Sequence, residues 1–294
     1  MEHRYLRYFV AVASTRHFTR AAEKLGISQP PLSQQIQKLE REIGTPLLHR
    51  LSRGVELTEA GEAFYADALH ILQLTDEAVE RAKSIARGET GKLQVGFASS
   101  TAFQPAVLSL LHRYRETFPA VILLPSEEIM PVLMNDLHSE RIDVAFIRQP
   151  CSASTEFTCE VLVEEDMVLV LPANHPLHHC AKISLRDLQH EKLITFPREV
   201  GPGLFDAIMN ACYRAGFEPE LGQQSPQLVS AIGMVSAGFG ITVVPRSLTT
   251  IHANNVTYHE IDDDQLKTQI TLAWRRHERS TAVVNMVNLL RRGG

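Results

Sequence analysis

The chain has no apolar run near the roughly 18 residues a membrane span requires. Its opening, Met1-Glu2-His3-Arg4-Tyr5-Leu6, lacks the long apolar core of a secretory signal, which predicts a cytoplasmic protein. Cysteine is scarce. Cys151, Cys159, Cys180 and Cys212 are too few and too scattered for a disulfide framework. There is no Gly-x-Ser-x-Gly elbow, no P-loop and no His-Glu-x-x-His, and Gly201-Pro202-Gly203 is only a fragment of a dinucleotide fingerprint. Neither an enzyme nor a cofactor is therefore expected. Repeats and low-complexity segments are absent too. What remains is an ordinary globular composition, 44% hydrophobic and 21% charged over 294 residues, a length that suggests about two domains.

A net positive charge is also missing. The total of −5 argues against a nucleic-acid partner until the chain is divided. Residues 1–58 hold 9 Lys+Arg against 5 Asp+Glu, a net of +4, which leaves −9 for the rest. A basic head on an acidic body suggests a small polyanion-binding domain joined to something else.

The head reads as short helices. Leu6, Phe9, Val10 and Ala13 recur at helical spacing, and a second helix fits Thr19 to Leu25, closed by Gly26. Ser28 stands where an N-cap belongs, with Gln29, Pro30 and Pro31 in the first turn, where proline loses no intrahelical bond. Leu32, Ile36, Leu39 and Ile43 then form one apolar stripe, and Gln29, Ser33, Gln34, Gln37, Lys38 and Arg41 lie opposite. Two short helices joined by Gly26-Ile27-Ser28 match a helix-turn-helix, although another small bundle fits the spacing alone. The polar face favours the former, since Gln, Ser and Lys bond base edges and phosphates. Residues 46–57 read as two short extended pieces turning at Arg53-Gly54, a wing with Arg50 and Arg53 placed for phosphate or minor-groove contact.

From Thr58 to about Ala86 there is no proline. Phe64, Ala68, Ile71, Thr75, Ala78, Ala82 and Ile85 alternate at spacings of four and three, a seam broken only by the polar Thr75. Such a helix suits dimerisation; packing on its own domain is the other reading. Arg87-Gly88-Glu89-Thr90-Gly91 reads as a hinge. Beyond it the period changes. Strands are expected at 92–97, 121–124, 143–147, 167–171, 192–196 and 240–244. Helical patterns fall near 102–116, 127–139, 203–215, 227–237 and 280–291. The alternation indicates α/β units on mostly parallel sheets, in one domain or two small lobes.

The run Phe18-Thr19-Arg20-Ala21-Ala22-Glu23-Lys24-Leu25-Gly26-Ile27-Ser28-Gln29-Pro30-Pro31-Leu32-Ser33 resembles the LysR-type bacterial transcriptional regulators. So do Pro46-Leu47-Leu48 and Leu57-Thr58-Glu59-Ala60-Gly61. Later marks are Leu93-Gln94-Val95-Gly96, Arg141-Ile142-Asp143-Val144-Ala145, Asn174-His175-Pro176-Leu177 and Val235-Ser236-Ala237-Gly238-Phe239-Gly240-Ile241. The resemblance spans essentially the whole chain. It implies an α/β protein with a winged helix-turn-helix at 1–58, a linker helix at 59–86, a hinge at 87–91 and a two-lobed effector domain of periplasmic-binding-protein type at 92–294. Lobe I would take about 92–162 and 266–294, and lobe II about 163–265. It also implies homodimers through Phe64, Ala68, Ile71, Ala78, Ala82 and Ile85, assembling to homotetramers on a double-stranded DNA operator, with RNA polymerase a further partner.

By the same resemblance, DNA contacts fall to Thr19, Arg20, Gln29, Pro30, Pro31, Ser33, Gln34, Gln37, Lys38, Arg50 and Arg53. A small organic acid would sit between the lobes, held near Ser99, Ser100 and Thr101, where hydroxyls and a helix start suit a carboxylate. Simple helix capping explains the same three residues. Arg148 would pair with the anion or form a structural salt bridge. Phe196, Gly201, Pro202 and Gln227 would face the cleft from lobe II. Met130 stands where many relatives place an effector-binding Thr, which narrows the space. Tyr5-Leu6-Arg7-Tyr8-Phe9, Arg50-Leu51-Ser52-Arg53-Gly54-Val55-Glu56-Leu57 and Leu272-Ala273-Trp274-Arg275-Arg276 resemble a subgroup of acetate-responsive activators of acetoin and butanediol fermentation genes. Regulators responding to aromatic carboxylates are close neighbours. A metal or redox sensor on the same scaffold is the other alternative, through His175, His178, His179 and Cys180 or through Cys151 and Cys159; a solvated loop also explains the histidines.

Overall fold

The computed structural model describes residues 2–51, 54–149 and 156–293. The chain divides into two compact units, Met1–Ser84 and Ile85–Gly294.

The first unit holds α1 (His3–Thr15), α2 (Phe18–Leu25), α3 (Gln29–Ile43), β1 (Leu48–Arg50), β2 (Val55–Leu57) and α4 (Glu59–Ala86), whose last residues pass into the second unit. Its core gathers Phe9, Val12, Ala21, Leu32, Ile36 and Leu39, all at or near zero exposure. Three cap details depart from the sequence reading. His17, not Thr19, caps α2, its Nδ1 accepting the Thr19 amide at 3.2 Å. Ser28 sits at the N-cap of α3 but makes no side-chain cap bond, because Pro30 and Pro31 lack the amides such a cap engages. Ile43, expected in the apolar stripe, is 36% exposed, since α3 ends there at Gly44. The wing forms as expected, with β1 and β2 antiparallel from Leu48↔Leu57 to Arg50↔Val55.

The second unit runs β3 (Thr90–Ala98), a 3-10 turn (Ser99–Phe103), α5 (Pro105–Thr117), β4 (Ala120–Glu128), α6 (Met130–His138), β5 (Val144–Gln149) and β6 (Phe157–Pro172). It continues with β7 (Lys182–Ile183), β8 (Lys192–Leu193), α7 (Pro202–Arg214), β9 (Glu220–Leu221), α8 (Leu228–Ser236), β10 (Thr242–Pro245), a 3-10 turn (Arg246–Thr250), β11 (Val256–Ile261), β12 (Lys267–Arg275) and α9 (Thr281–Arg292). One sheet path, β4-β3-β5-β12-β6-β11-β7, carries most of it, with β10 also on β6.

The expectation of mostly parallel strands is corrected here. β3 is parallel to β4 and β5, but β12 is antiparallel to both β5 and β6, and β10 and β11 are antiparallel to β6. The reason is that one long strand, β6, runs through both lobes, and β12 beside it in lobe I and β10 and β11 beside it in lobe II all run the opposite way. β6 changes partner between Asp166, opposite Lys267, and Met167, opposite Pro245. The crossing from lobe I to lobe II therefore falls at 166–167, later than the expected 162. The expected strand at 192–196 shrinks to Lys192–Leu193, and the expected hinge at 87–91 shrinks to three residues because β3 already starts at Thr90.

Lobe I buries Leu93, Leu110, Tyr114, Phe146, Val283 and Met286 on one face of its sheet, and Leu133, Leu137 and Ile147 on the other. Lobe II packs α7 and α8 on Leu169, Val170, Val243 and Val244.

Candidate nucleic-acid interface and effector cleft

In the first unit, helix packing puts α3's apolar stripe inward and leaves its polar side in water. Thr19, Arg20, Gln29, Pro30, Pro31, Gln34, Gln37, Lys38 and Arg50 are all exposed and Ser33 is half-buried. Arg53 lies outside the described residues. The wing is tied to α3 at two points. Glu40 Oε1 accepts the Leu47 and Leu48 amides at 2.9 and 3.1 Å. Arg50 lies over the Phe18 ring at 5.2 Å and donates to Ser33 Oγ at 3.4 Å. Arg50 thus bridges α2, α3 and the wing on one side of the head. Lys38 is less free than its spacing suggests, because its ammonium sits 5.3 Å over the Tyr5 ring. Hydrogen bonding with the Tyr5 side chain, and secondarily its charge, raise the Lys38 pKa above the ordinary lysine value.

The seam of α4 is divided by the fold. Phe64 packs on Phe9 with centroids 5.3 Å apart, and Ala68 is fully buried in the head's own core. Both are corrected from dimer contacts to core residues, because the first turns of a helix leaving a small domain cover that domain. Ile71, Ala78, Ala82 and Ile85 are exposed, beside the exposed Leu74 and Val79.

In the second unit, the turn at Ser99–Phe103 contacts α8 and the turn at Arg246–Thr250, while α6 contacts residues 198–200 and α7 contacts β5. Each of these contacts joins a segment of lobe I to a segment of lobe II. Ser100 Oγ accepts from Arg148 Nε at 2.8 Å, and Thr101 Oγ1 donates to the Phe146 carbonyl at 3.3 Å. Both side chains are buried, so neither hydroxyl stands open to a ligand. Met130 is half-buried at the first turn of α6, packed on Leu133 and its neighbours.

Arg148 is the centre of the site. Its Nη1 donates to Glu165 Oε1 at 2.8 Å, with both side chains 6% exposed. Glu165 reaches into lobe II, where Oε2 accepts the Ser247 amide at 2.8 Å and Oε1 the Ser247 hydroxyl at 3.2 Å. Burial pulls the Arg148 pKa below its ordinary value, and the Glu165 carboxylate opposes that pull. Arg148 Nη2 is buried without a hydrogen-bond partner, as is Thr268 Oγ1, on the residue opposite Glu165 in the sheet. A buried donor left unpaired costs free energy comparable to a lost hydrogen bond, so Nη2 marks a place for an acceptor.

From lobe II, Gly201 caps α7 without a side-chain bond, and Pro202 occupies the first turn. A Cβ at Gly201 would meet the Phe196 ring at 3.4 Å, so the absence of a side chain keeps this approach open. Phe196 itself is corrected from cleft wall to core, being 3% exposed and edge-on to Phe205. Gln227 is the half-buried N-cap of α8, with no cap bond from its side chain.

Sequence reasoning missed Glu165 and Ser247. Glu165 sits in the acidic run Glu164-Glu165-Asp166, which reads as a solvated edge. Strand parity was the available signal, since Glu165 shares a face with Met167 and Leu169. Among the described residues, no cluster of His, Cys, Asp and Glu could hold a metal. His175 binds Glu191 and the Leu177 amide, and His178 the His175 carbonyl. Cys180 is exposed, Cys212 is buried with its thiol pushed up to about 11, and Cys151 lies outside the described residues. Among the described residues no helix is long and apolar enough to cross a membrane.

Two families match the chain. The one described as bacterial regulatory helix-turn-helix protein, lysR family, covers residues 3–62, and the LysR substrate binding domain covers residues 86–294. The HTH-type transcriptional regulator BudR of Raoultella terrigena is 52% identical over 98% of this chain and 100% of its own length. The HTH-type transcriptional regulator AlsR of Bacillus subtilis (strain 168) is 36% identical over 98% of this chain and 95% of its own. The crystal structure of full-length CbnR complexed with its target DNA has a TM-score of 0.88 at 28% identity, covering 99% of both chains.

Proposed function

Because the chain belongs to the LysR family of bacterial transcriptional regulators, and is thus a DNA-binding regulator rather than an enzyme, we propose that its cleft answers to a small monocarboxylic acid such as acetate. The observation that carries this is the pairing of Arg148 with Glu165. The arginine charge is already neutralised inside the cleft, yet one N–H edge, at Nη2, remains unpaired. Such a site offers hydrogen bonds without net positive charge. It tolerates one carboxylate better than two, because the Nη2 donor can hold one and each added negative charge is buried without a counter-ion of its own. Met130, where many relatives carry a threonine, offers no hydroxyl to a ligand and takes more room, which supports a small acid over an aromatic one.

The genes under control are those of acetoin and butanediol fermentation, a reading supported by the full-length identity to BudR. On the operator, the exposed polar side of α3 reads base edges in the major groove. Arg50 and Arg53 hold the backbone from the wing. Homodimers form along the exposed part of the α4 seam and pair into homotetramers. The exposed Leu108 and Ile122, beside an open groove of about 600 Å³ on lobe I, offer a further self-association surface. Effector binding shifts the lobes and with them the spacing of paired heads on bent DNA.

Calorimetric titration of the full chain with acetate, benzoate and succinate tests the effector. Acetate is expected to bind tightest and succinate weakest. Tighter binding of benzoate would overturn the small-acid reading.

A further inference from the structure

The last carbonyls of a helix have no partners within it. At the end of α4, Ala86, and at the two residues that follow it, carbonyls are taken by side chains from far along the chain. Thr281 Oγ1 donates to the Ala86 carbonyl at 3.0 Å, and Asn285 Nδ2 donates to the carbonyls of Arg87 at 3.1 Å and Gly88 at 3.4 Å. Gly88 is buried with φ of 64°. A Cβ there would lie 2.7 Å from the Ala282 nitrogen and the Thr281 carbonyl carbon, so glycine is needed for the approach. Helix α9 is no loose partner, since Val283 and Met286 are fully buried in the lobe I core.

The chain that makes this clamp starts at the crossing between lobes. β12 leaves it with Lys267 opposite Asp166 and Thr268 opposite Glu165. At its far end Arg275 is held by the carbonyls of Leu137 and Ile142, at 3.0 and 2.7 Å, and by Glu278 at 2.7 Å. Glu278 in turn accepts the Ser280 amide at 2.7 Å, one residue before α9 begins. The path from crossing strand to the end of α4 is therefore bonded at each step.

We infer that Thr281 and Asn285 are positioning residues that tie the last turn of α4 to β12, so that movement at the crossing strands is delivered to the linker helix. This coupling holds whatever acid the cleft binds, and it is tested without any ligand.

The test is amide hydrogen exchange on the full chain in a double-mutant cycle of Glu165→Gln and Asn285→Ala. Glu165→Gln disturbs the crossing without touching the clamp. It is expected to raise exchange at the amides of residues 84–88 several-fold in the parent, with the amides of α5 as the control for general loss of stability. Asn285→Ala raises the same amides by roughly fivefold, the scale of a neutral hydrogen bond, and abolishes the further effect of Glu165→Gln. Thr281→Val, which keeps the branched shape, gives the same loss of coupling and carries the cycle alone if Asn285→Ala does not fold. Equal factors for Glu165→Gln with and without the clamp, or no change at 84–88 in the parent, would overturn the inference.

Discussion

Arg148 and Glu165 meet at 2.8 Å across the line where the lobes join, each side chain only 6% exposed. A buried pair of this kind contributes little against an apolar replacement, but breaking it strands one charge, at a cost of about 3–5 kcal/mol. Glu165→Gln keeps an acceptor for the Ser247 amide and leaves Arg148 unneutralised. Two outcomes are expected. Urea unfolding should show a loss of roughly 3 kcal/mol, and succinate, expected to bind the parent weakest, should bind the variant more tightly. A variant as stable as the parent, or one with unchanged succinate affinity, would remove charge neutralisation from the account of the cleft.

In the proposed reading of the head, base reading falls to Gln34, exposed on α3, and phosphate holding to Arg53. Gln34→Ala is expected to weaken the operator by about 1–3 kcal/mol while leaving random DNA nearly unaffected. Arg53→Ala should weaken both and lower the salt slope by about one. Anisotropy titrations on operator and random duplexes at several salt concentrations separate the two roles. Equal losses on both duplexes with equal slopes would sink the division.

How far the sequence carried depended on whether a signal was local. Pro30-Pro31 and Gly44 bracket α3, and Gly26 closes α2, because turn and cap chemistry acts within a few residues. The crossing strands were only partly legible: residues 167–171 read as a strand, but the first part of β6 and all of β12 did not. β12 does not read as a strand from its pattern: Thr268 and Thr271 interrupt one face each, and both are buried with hydroxyls unpaired. What makes it a strand is pairing with β5 and β6, from far away in the chain. The cleft was half legible. Arg148 was expected, but whether it faces a ligand or a carboxylate depended on Glu165, whose burial follows from the lobes meeting around it.

The seam of α4 shows the same limit and yields a sharper experiment. Spacing alone treats Phe64 and Ile71 alike. Their surroundings differ, since Phe64 packs on Phe9 whereas Ile71 is 38% exposed. Phe64→Ser should therefore destabilise the head, by about 2 kcal/mol for a half-buried aromatic packed on the core. Ile71→Asp with Val79→Asp should leave the head folded and lower dimer content in sedimentation velocity. A double variant that stays dimeric would take the exposed seam out of the assembly.

Tyr114 gives a dependence on pH whose sign can be worked out. It lies buried in lobe I and donates to the Ala282 carbonyl at 3.1 Å. Burial, and secondarily the Asp143 carboxylate, push its pKa up from 10.0 to about 12. Below pH 10 folded and unfolded chains both hold the phenol proton, so the group adds no slope there. Between pH 10 and about 12 the unfolded chain loses the proton first, and stability falls as pH rises. Tyr114→Phe removes the titrating group but leaves the Ala282 carbonyl without its donor, so it should cost about 1 kcal/mol at pH 8. It should also flatten part of the alkaline fall. Urea midpoints at pH 8 and pH 11 for both chains decide it, and an undiminished fall in the variant would show that another group sets the alkaline limit.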